Sequence, residues 1–175
     1  MFIGIGISLE DLLFGFFLAG IAGVVFEILE RKKLRRIPTR KNNRHLASIL
    51  VFFLLFFGLE FIFPHVTIYN HIIALITGAV IVGAQRRDLI PQIVFSGLVF
   101  TVFYVLLFYV SDFLYNDILY ATNYNLQNLF GIYLFGMPIE EMVFAFGVGA
   151  FASAIYEYLR GYKTVIFRTA DLKSK

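Results

Sequence analysis

The chain has 175 residues and no cysteine; 59% of it is hydrophobic and 15% charged, with a formal net charge of +3 and a mean hydropathy of +0.80. A soluble domain of this length runs about 45–50% apolar and about 25% charged, so a soluble globular protein is excluded. Disulfides and thiolate metal sites are excluded with it.

A transmembrane helix needs roughly 20 apolar residues to cross a hydrocarbon core ~30 Å thick. Five windows qualify: 9–29, 46–63, 66–84, 90–110 and 138–159. The expected fold class is all-α, a polytopic membrane protein of about five transmembrane helices. Residues 1–163 would form the membrane domain and 164–175 a cytoplasmic tail. The first window follows MFIGIGISLED, which carries Glu10 and Asp11 where a signal peptide would carry Lys or Arg, so this span is expected to be retained. Next comes RKKLRRIPTRKNNR. Such a run can mark nucleic-acid binding, but between two spans it reads as a loop held on the cytoplasmic side against anionic lipid, and no nucleic-acid partner is expected.

The second window holds Glu60 in FFGLEFIF, four residues before Pro64. An ionisable residue inside a membrane helix is a functional candidate, with a local hydrogen bond or snorkelling to the interface as the alternative. His65 and His71 flank the next turn, and two histidines six apart without further ligands are a poor metal signal, so no metal is expected. Asp112 and Asp117 follow the fourth window. The fifth opens with FGMPIEEMVF, which places Glu140 and Glu141 side by side at the mouth of an apolar run.

Charge orients these spans. Eight of the fifteen Lys and Arg residues lie between spans one and two, Arg86 and Arg87 lie between three and four, and five follow the last span. Because cytoplasmic loops collect basic residues, the N-terminus is expected outside and the C-terminus inside. The acids divide the other way: Glu10, Asp11, Glu60, Asp112, Asp117, Glu140 and Glu141 all fall at or near the non-cytoplasmic ends, where no base stands.

The chain also repeats itself. Gly6–Lys33 aligns with Gly136–Lys163 without a gap at an offset of 130, matching Glu10 with Glu140, Phe14 with Phe144, Glu27 with Glu157, and Asp11 with Glu141. Gly15, Ala19 and Gly23 lie over Ala145, Gly149 and Ser153, a strip of small residues of the kind that lets membrane helices approach closely. The two copies are the first and fifth of the five spans, so they are expected to run parallel and to deliver both acidic pairs to one face. Capping by Ser8 and a first-turn Pro138, with the macrodipole favouring carboxylates, explains one acid per copy rather than two. Neighbours on a helix point about 100° apart, so one member of each pair is expected to face inward and the other toward headgroups or a loop. Phe144 and Phe14 lie one turn from Glu140 and Glu10, on nearly the same face. A carboxyl group beside aromatic rings and screened from water is suited to holding a proton it can donate. Glu27 and Glu157 stand 17 residues further on, about 26 Å along a helix, where pairing with basic neighbours such as Arg31 or Arg160 is expected.

The run P-I-E-E-x-x-F at Pro138–Phe144, with Tyr156–Glu157 beyond it and Tyr124–Asn125 placing Asn125 fifteen residues before Glu140, resembles the lycopene cyclase domain of the membrane-integral, cofactor-free carotenoid cyclases. That family carries a Trp-Asp pair at the end of the preceding helix; this chain has no tryptophan, and Asp112 or Asp117 occupies the corresponding region. The first copy has Ser8 and Asp11 where the family has Pro and Glu, and lacks the hairpin that precedes each acidic helix in the fused proteins. This implies either a compact single-chain form or helices borrowed from a second copy or a second cyclase subunit.

What the resemblance implies is an isomerase that cyclises the end group of a linear carotenoid such as lycopene, without a cofactor, in the cell membrane. Glu140 is the candidate acid and Glu10 the candidate base or second acid, with Glu141 and Asp11 in support; Phe144, Phe14, Asp112, Asp117, Asn125 and Glu60 are candidates for lining the substrate. No G-x-G-x-x-G follows a strand, so no nucleotide-cofactor fold is encoded. Two alternatives stand beside this reading. One is a Mg-dependent intramembrane prenyltransferase-like enzyme, for which NDILYATN supplies one acid where a divalent ion needs more. The other is a non-catalytic isoprenoid-binding or partner subunit.

Overall fold

The computed structural model describes residues 17, 20–21, 33–36, 44–115, 129–160 and 162–165. Four α-helices dominate them: α1 (Arg44–Ile62), α2 (Thr67–Gln85), α3 (Ile90–Tyr115) and α4 (Ile139–Arg160). Of these, α2, the Arg87–Leu114 segment that covers all but the last residue of α3, and Ile139–Leu159 of α4 are long and apolar enough to cross a membrane. The apolar part of α1, Ser48–Ile62, is shorter. The windows at 66–84, 90–110 and 138–159 thus correspond to helices of spanning length and composition, whereas 9–29 lies almost wholly outside the described residues.

Local chemistry sets the boundaries. Pro64 has no N–H to extend a helix, and the chain turns there before α2 begins at Thr67. At the other end of α2, Arg86 adopts φ −129° and ψ 78° while its N–H still bonds the Val82 carbonyl at 2.8 Å. A single 3-10 turn, Arg87–Leu89, then leads into α3, whose Pro91 falls in the first turn, where a missing N–H costs nothing.

Two short ribbons depart from the all-α expectation. β2 (Tyr133–Leu134) and β3 (Met137–Pro138) pair antiparallel, with Tyr133 opposite Pro138 and Leu134 opposite Met137. The loop between them is Phe135-Gly136, with φ of 54° and 75°, the two positive values of a type I′ turn. Pro138 therefore ends a strand immediately before α4 rather than entering the first helical turn. The second ribbon joins β1 (Lys33–Arg36) to β4 (Tyr162–Val165), antiparallel, with Leu34 opposite Thr164.

Helix α4 is central. It packs against both α3 and α2, and α2 in turn packs against α1. The small-residue strip forms part of that contact: Ala145 and Ser153 are buried, and a Cβ added at Gly149 would stand 2.6 Å from the Ser96 carbonyl oxygen and 3.1 Å from the Gly97 Cα, both on α3. One buried cluster joins Phe52, Ala74, Leu75, Phe100, Ala145 and Val148; a second, nearer the C-terminus of α4, includes Val82, Leu89, Ile93, Ala150, Ala154 and Tyr158. The outer surface stays apolar, with Leu98, Val102, Leu106 and Val110 of α3 all exposed. A helix apolar on every side suits a hydrocarbon solvent.

Polar groups gather at the two ends of this bundle. At the end where α4 finishes, Tyr158 is fully buried and its hydroxyl lies 2.8 Å from both Ser48 Oγ and Gln85 Oε1. The Gln92 amide donates to the Ser153 carbonyl at 2.7 Å and to the Glu157 carboxylate at 2.9 Å. Arg86 donates to Asp88 through two nitrogens at 2.9 and 2.7 Å, and this forked bond holds the guanidinium pKa above its ordinary value. The other end contains the two glutamates that open α4.

Candidate active site

The tight β2–β3 hairpin fixes where α4 begins. Met137 is fully buried, the Ile139 N–H bonds the Ile132 carbonyl at 3.0 Å, and the Tyr109 hydroxyl of α3 donates to the Phe135 carbonyl at 2.6 Å. The first turn of α4 is thereby held against α3, with Glu140 and Glu141 in it.

Both glutamates are buried, Glu140 with 4% of its surface exposed and Glu141 with 8%. Here the structure corrects the expectation that one of the two points toward headgroups or a loop. Adjacent residues still diverge by about 100°, but α4 has a neighbour on each side. Glu140 turns toward α2, where the Tyr69 hydroxyl donates to its Oε1 at 3.0 Å. Glu141 turns toward α3, where the Tyr104 hydroxyl donates to its Oε2 at 2.9 Å. A third donor, the Phe130 backbone N–H, reaches Glu140 Oε1 at 2.6 Å. Glu140 Oε2 is buried and, among the described residues, has no hydrogen-bond partner.

Aromatic groups lie around this pair. Phe130 meets the Tyr69 ring edge-to-face at 5.6 Å. Phe144, partly buried against the first core cluster, stands 6.4 Å from the His71 ring, and His71 itself stacks on Phe56 at 4.4 Å, 8° from parallel. Among the described residues no three His, Cys, Asp or Glu side chains are grouped as metal ligands.

The remaining candidates separate. Glu60 has both oxygens engaged within the α1–α2 turn: Thr67 donates to Oε1 at 2.7 Å and Asn70 to Oε2 at 3.0 Å, while Asn70 also bonds the Phe63 carbonyl at 2.8 Å. The geometry matches the local hydrogen-bond alternative for Glu60. Asp112 lies two turns beyond Tyr104 on α3, with Oδ1 buried and unpartnered. Glu10, Asp11, Phe14, Asp117 and Asn125 lie outside the described residues. Sequence reasoning missed Tyr69, Tyr104 and the Phe130 N–H. Nothing in a chain with 10 tyrosines marks two of them as partners of glutamates 71 and 37 residues away.

A family model described as Lycopene cyclase matches residues 66–159, more than half of the 175-residue chain. The matched segment contains Tyr69, Tyr104, Glu140, Glu141 and Phe144. No curated protein and no solved structure matches the chain.

Proposed function

The chain belongs to the lycopene cyclase family, and from that membership we propose that it cyclises the end group of a linear carotenoid by a proton-initiated, redox-neutral isomerisation carried by its buried carboxylates. The observation that carries this reading is the burial of Glu140 and Glu141 together, each against a tyrosine from a different helix. Two ionised carboxylates side by side in a dry setting would be costly. A neutral acid beside a carboxylate is the arrangement that protonating an alkene requires.

The reaction balances without an oxidant. An O–H bond of the acid breaks as a C–H bond forms at the terminal double bond, leaving a cation on the neighbouring carbon. An inner double bond closes onto that cation, and loss of an adjacent proton to a carboxylate completes the ring. One proton enters and one leaves, so substrate and product are isomers. Glu140 serves as acid, and Glu10, its repeat mate, as base or second acid, with Glu141 and Asp11 in support. Aromatic faces such as Phe144 suit a cationic intermediate.

The β1–β4 register supports a parallel arrangement of the two repeat copies. Leu34 and Thr164 are repeat mates at the offset of 130, and they are also Cα partners. The ribbon is therefore symmetric about the repeat relation, as a two-fold axis normal to it would require. A two-fold axis preserves direction only along itself, so copies that enter the ribbon along that axis would be parallel, with Glu10 and Glu140 at one end of the bundle. With the basic segments inside, that end faces away from the cytoplasm.

The test is expression in cells that accumulate lycopene, with pigments separated by chromatography and identified by absorption. Monocyclic or bicyclic product that Glu140→Gln abolishes is the expected result; unchanged lycopene beside folded, membrane-inserted protein would refute the reading. Full activity in Glu10→Gln would remove the shared two-copy site and leave the enzyme class standing.

A further inference from the structure

We propose that the two oxygens of Glu140 divide the work of proton transfer, with Oε2 carrying the proton to the substrate and Tyr69 as the positioning residue that keeps Oε1 out of the exchange. This rests on the cyclase reading above. A carboxyl oxygen has two lone pairs, and both on Oε1 are engaged, one by the Tyr69 hydroxyl at 3.0 Å and one by the Phe130 N–H at 2.6 Å. A proton on Oε1 would have to displace one of these donors. Oε2 is buried without a partner among the described residues, on a side chain only 4% exposed, and an unsatisfied buried polar atom requires an explanation. As the hydroxyl oxygen of the neutral acid, it is a donor that the π bond of an alkene can accept from.

The same geometry serves the step that follows. When the Oε2–H bond breaks, its electron pair stays on the carboxylate, and the new negative charge is shared with an oxygen that already receives two hydrogen bonds. These donors lie in place before the reaction and need no reorganisation during it. The hydroxyl comes from α2, and the N–H from the segment that leads into the β2–β3 hairpin. Two separate parts of the fold thus fix the carboxyl plane, and Oε2 takes its direction from that plane.

The test is Tyr69→Phe in the full-length purified protein, with Glu140→Gln alongside. Phenylalanine keeps the ring that meets Phe130 and removes only the hydroxyl. Infrared spectra of wild-type protein minus Glu140→Gln isolate the C=O stretch of the Glu140 acid. With the proton on Oε2, the carbonyl oxygen is Oε1, so losing the Tyr69 hydrogen bond shifts that band to higher frequency. Turnover falls about tenfold to a hundredfold, the range set by a hydrogen bond to a charged group, while KM is unchanged. A band that stays put in Tyr69→Phe, the absence of any acid band assignable to Glu140, or unaltered kcat would overturn the assignment. A loss of thermal stability with band and kcat unchanged would show that Tyr69 only ties α2 to α4, and would overturn it equally. Failure of the cyclase reading is distinguishable, because then the wild-type protein itself leaves lycopene unconverted.

Discussion

The α3 backbone comes close to α4 at Gly149, and adding one methyl group there tests how the bundle holds its acid pair. In Gly149→Ala the new Cβ would lie 2.5 Å from Phe100 Cβ, 2.6 Å from the Ser96 carbonyl oxygen and 3.1 Å from Gly97 Cα, against ordinary contacts of 3.4–4 Å. Two of these atoms are backbone and the third is a Cβ, so no side-chain rotation relieves the overlap. The helices must separate locally by about 0.8–0.9 Å, an overpacking that costs about 1–3 kcal/mol. For a chain of this length that is a fall in Tm of roughly 2–12 °C. Tyr104 lies one turn from Phe100 on the same helix, so part of that separation reaches its 2.9 Å bond to Glu141, which would lengthen and weaken. Cyclisation should fall together with stability. The assay is thermal unfolding in detergent beside pigment analysis in lycopene-accumulating cells, with Gly58→Ala as control, since a Cβ at Gly58 meets nothing within 4 Å. If Gly149→Ala were as stable and as active as Gly58→Ala, the close crossing of α3 and α4 would be wrong.

Two further predictions concern other parts of the fold. Phe135→Asn should raise stability by about 1 kcal/mol, because Phe135 sits at φ 54° in the hairpin turn, Asn-Gly is favoured in type I′ turns, and the left-handed region costs other residues roughly 1–2 kcal/mol; an unchanged or lower melting temperature would count against that turn. Tyr158→Phe should cost about 0.5–1.5 kcal/mol by removing a hydroxyl that binds Ser48 and Gln85, and should leave the pigment profile unchanged, since the change is at the opposite end of α4 from Glu140; altered products would tie this cluster to the chemistry.

The amino-acid sequence by itself determined that the windows at 66–84, 90–110 and 138–159 are helices long and apolar enough to cross a membrane, that Glu140 and Glu141 open the last helix, and that a strip including Ala145, Gly149 and Ser153 is a helix contact. Each of these is carried by apolar run length or by spacing along one helix, and such patterns survive in one dimension. Only the tertiary structure decided what the carboxylates face. Adjacent glutamates point in different directions on any helix, and whether both are buried depends on how many neighbours that helix has. Because α4 lies between α2 and α3, Glu140 meets Tyr69 and Glu141 meets Tyr104. Glu60 is drawn instead into the α1–α2 turn by Thr67 and Asn70. The two-strand hairpin before α4 was invisible to helical periodicity, since it depends on two consecutive positive φ angles at Phe135 and Gly136. That hairpin and its leading segment bring the Phe130 N–H to Glu140, ten residues away, a contact made by a backbone group, for which no residue type leaves a trace in the sequence.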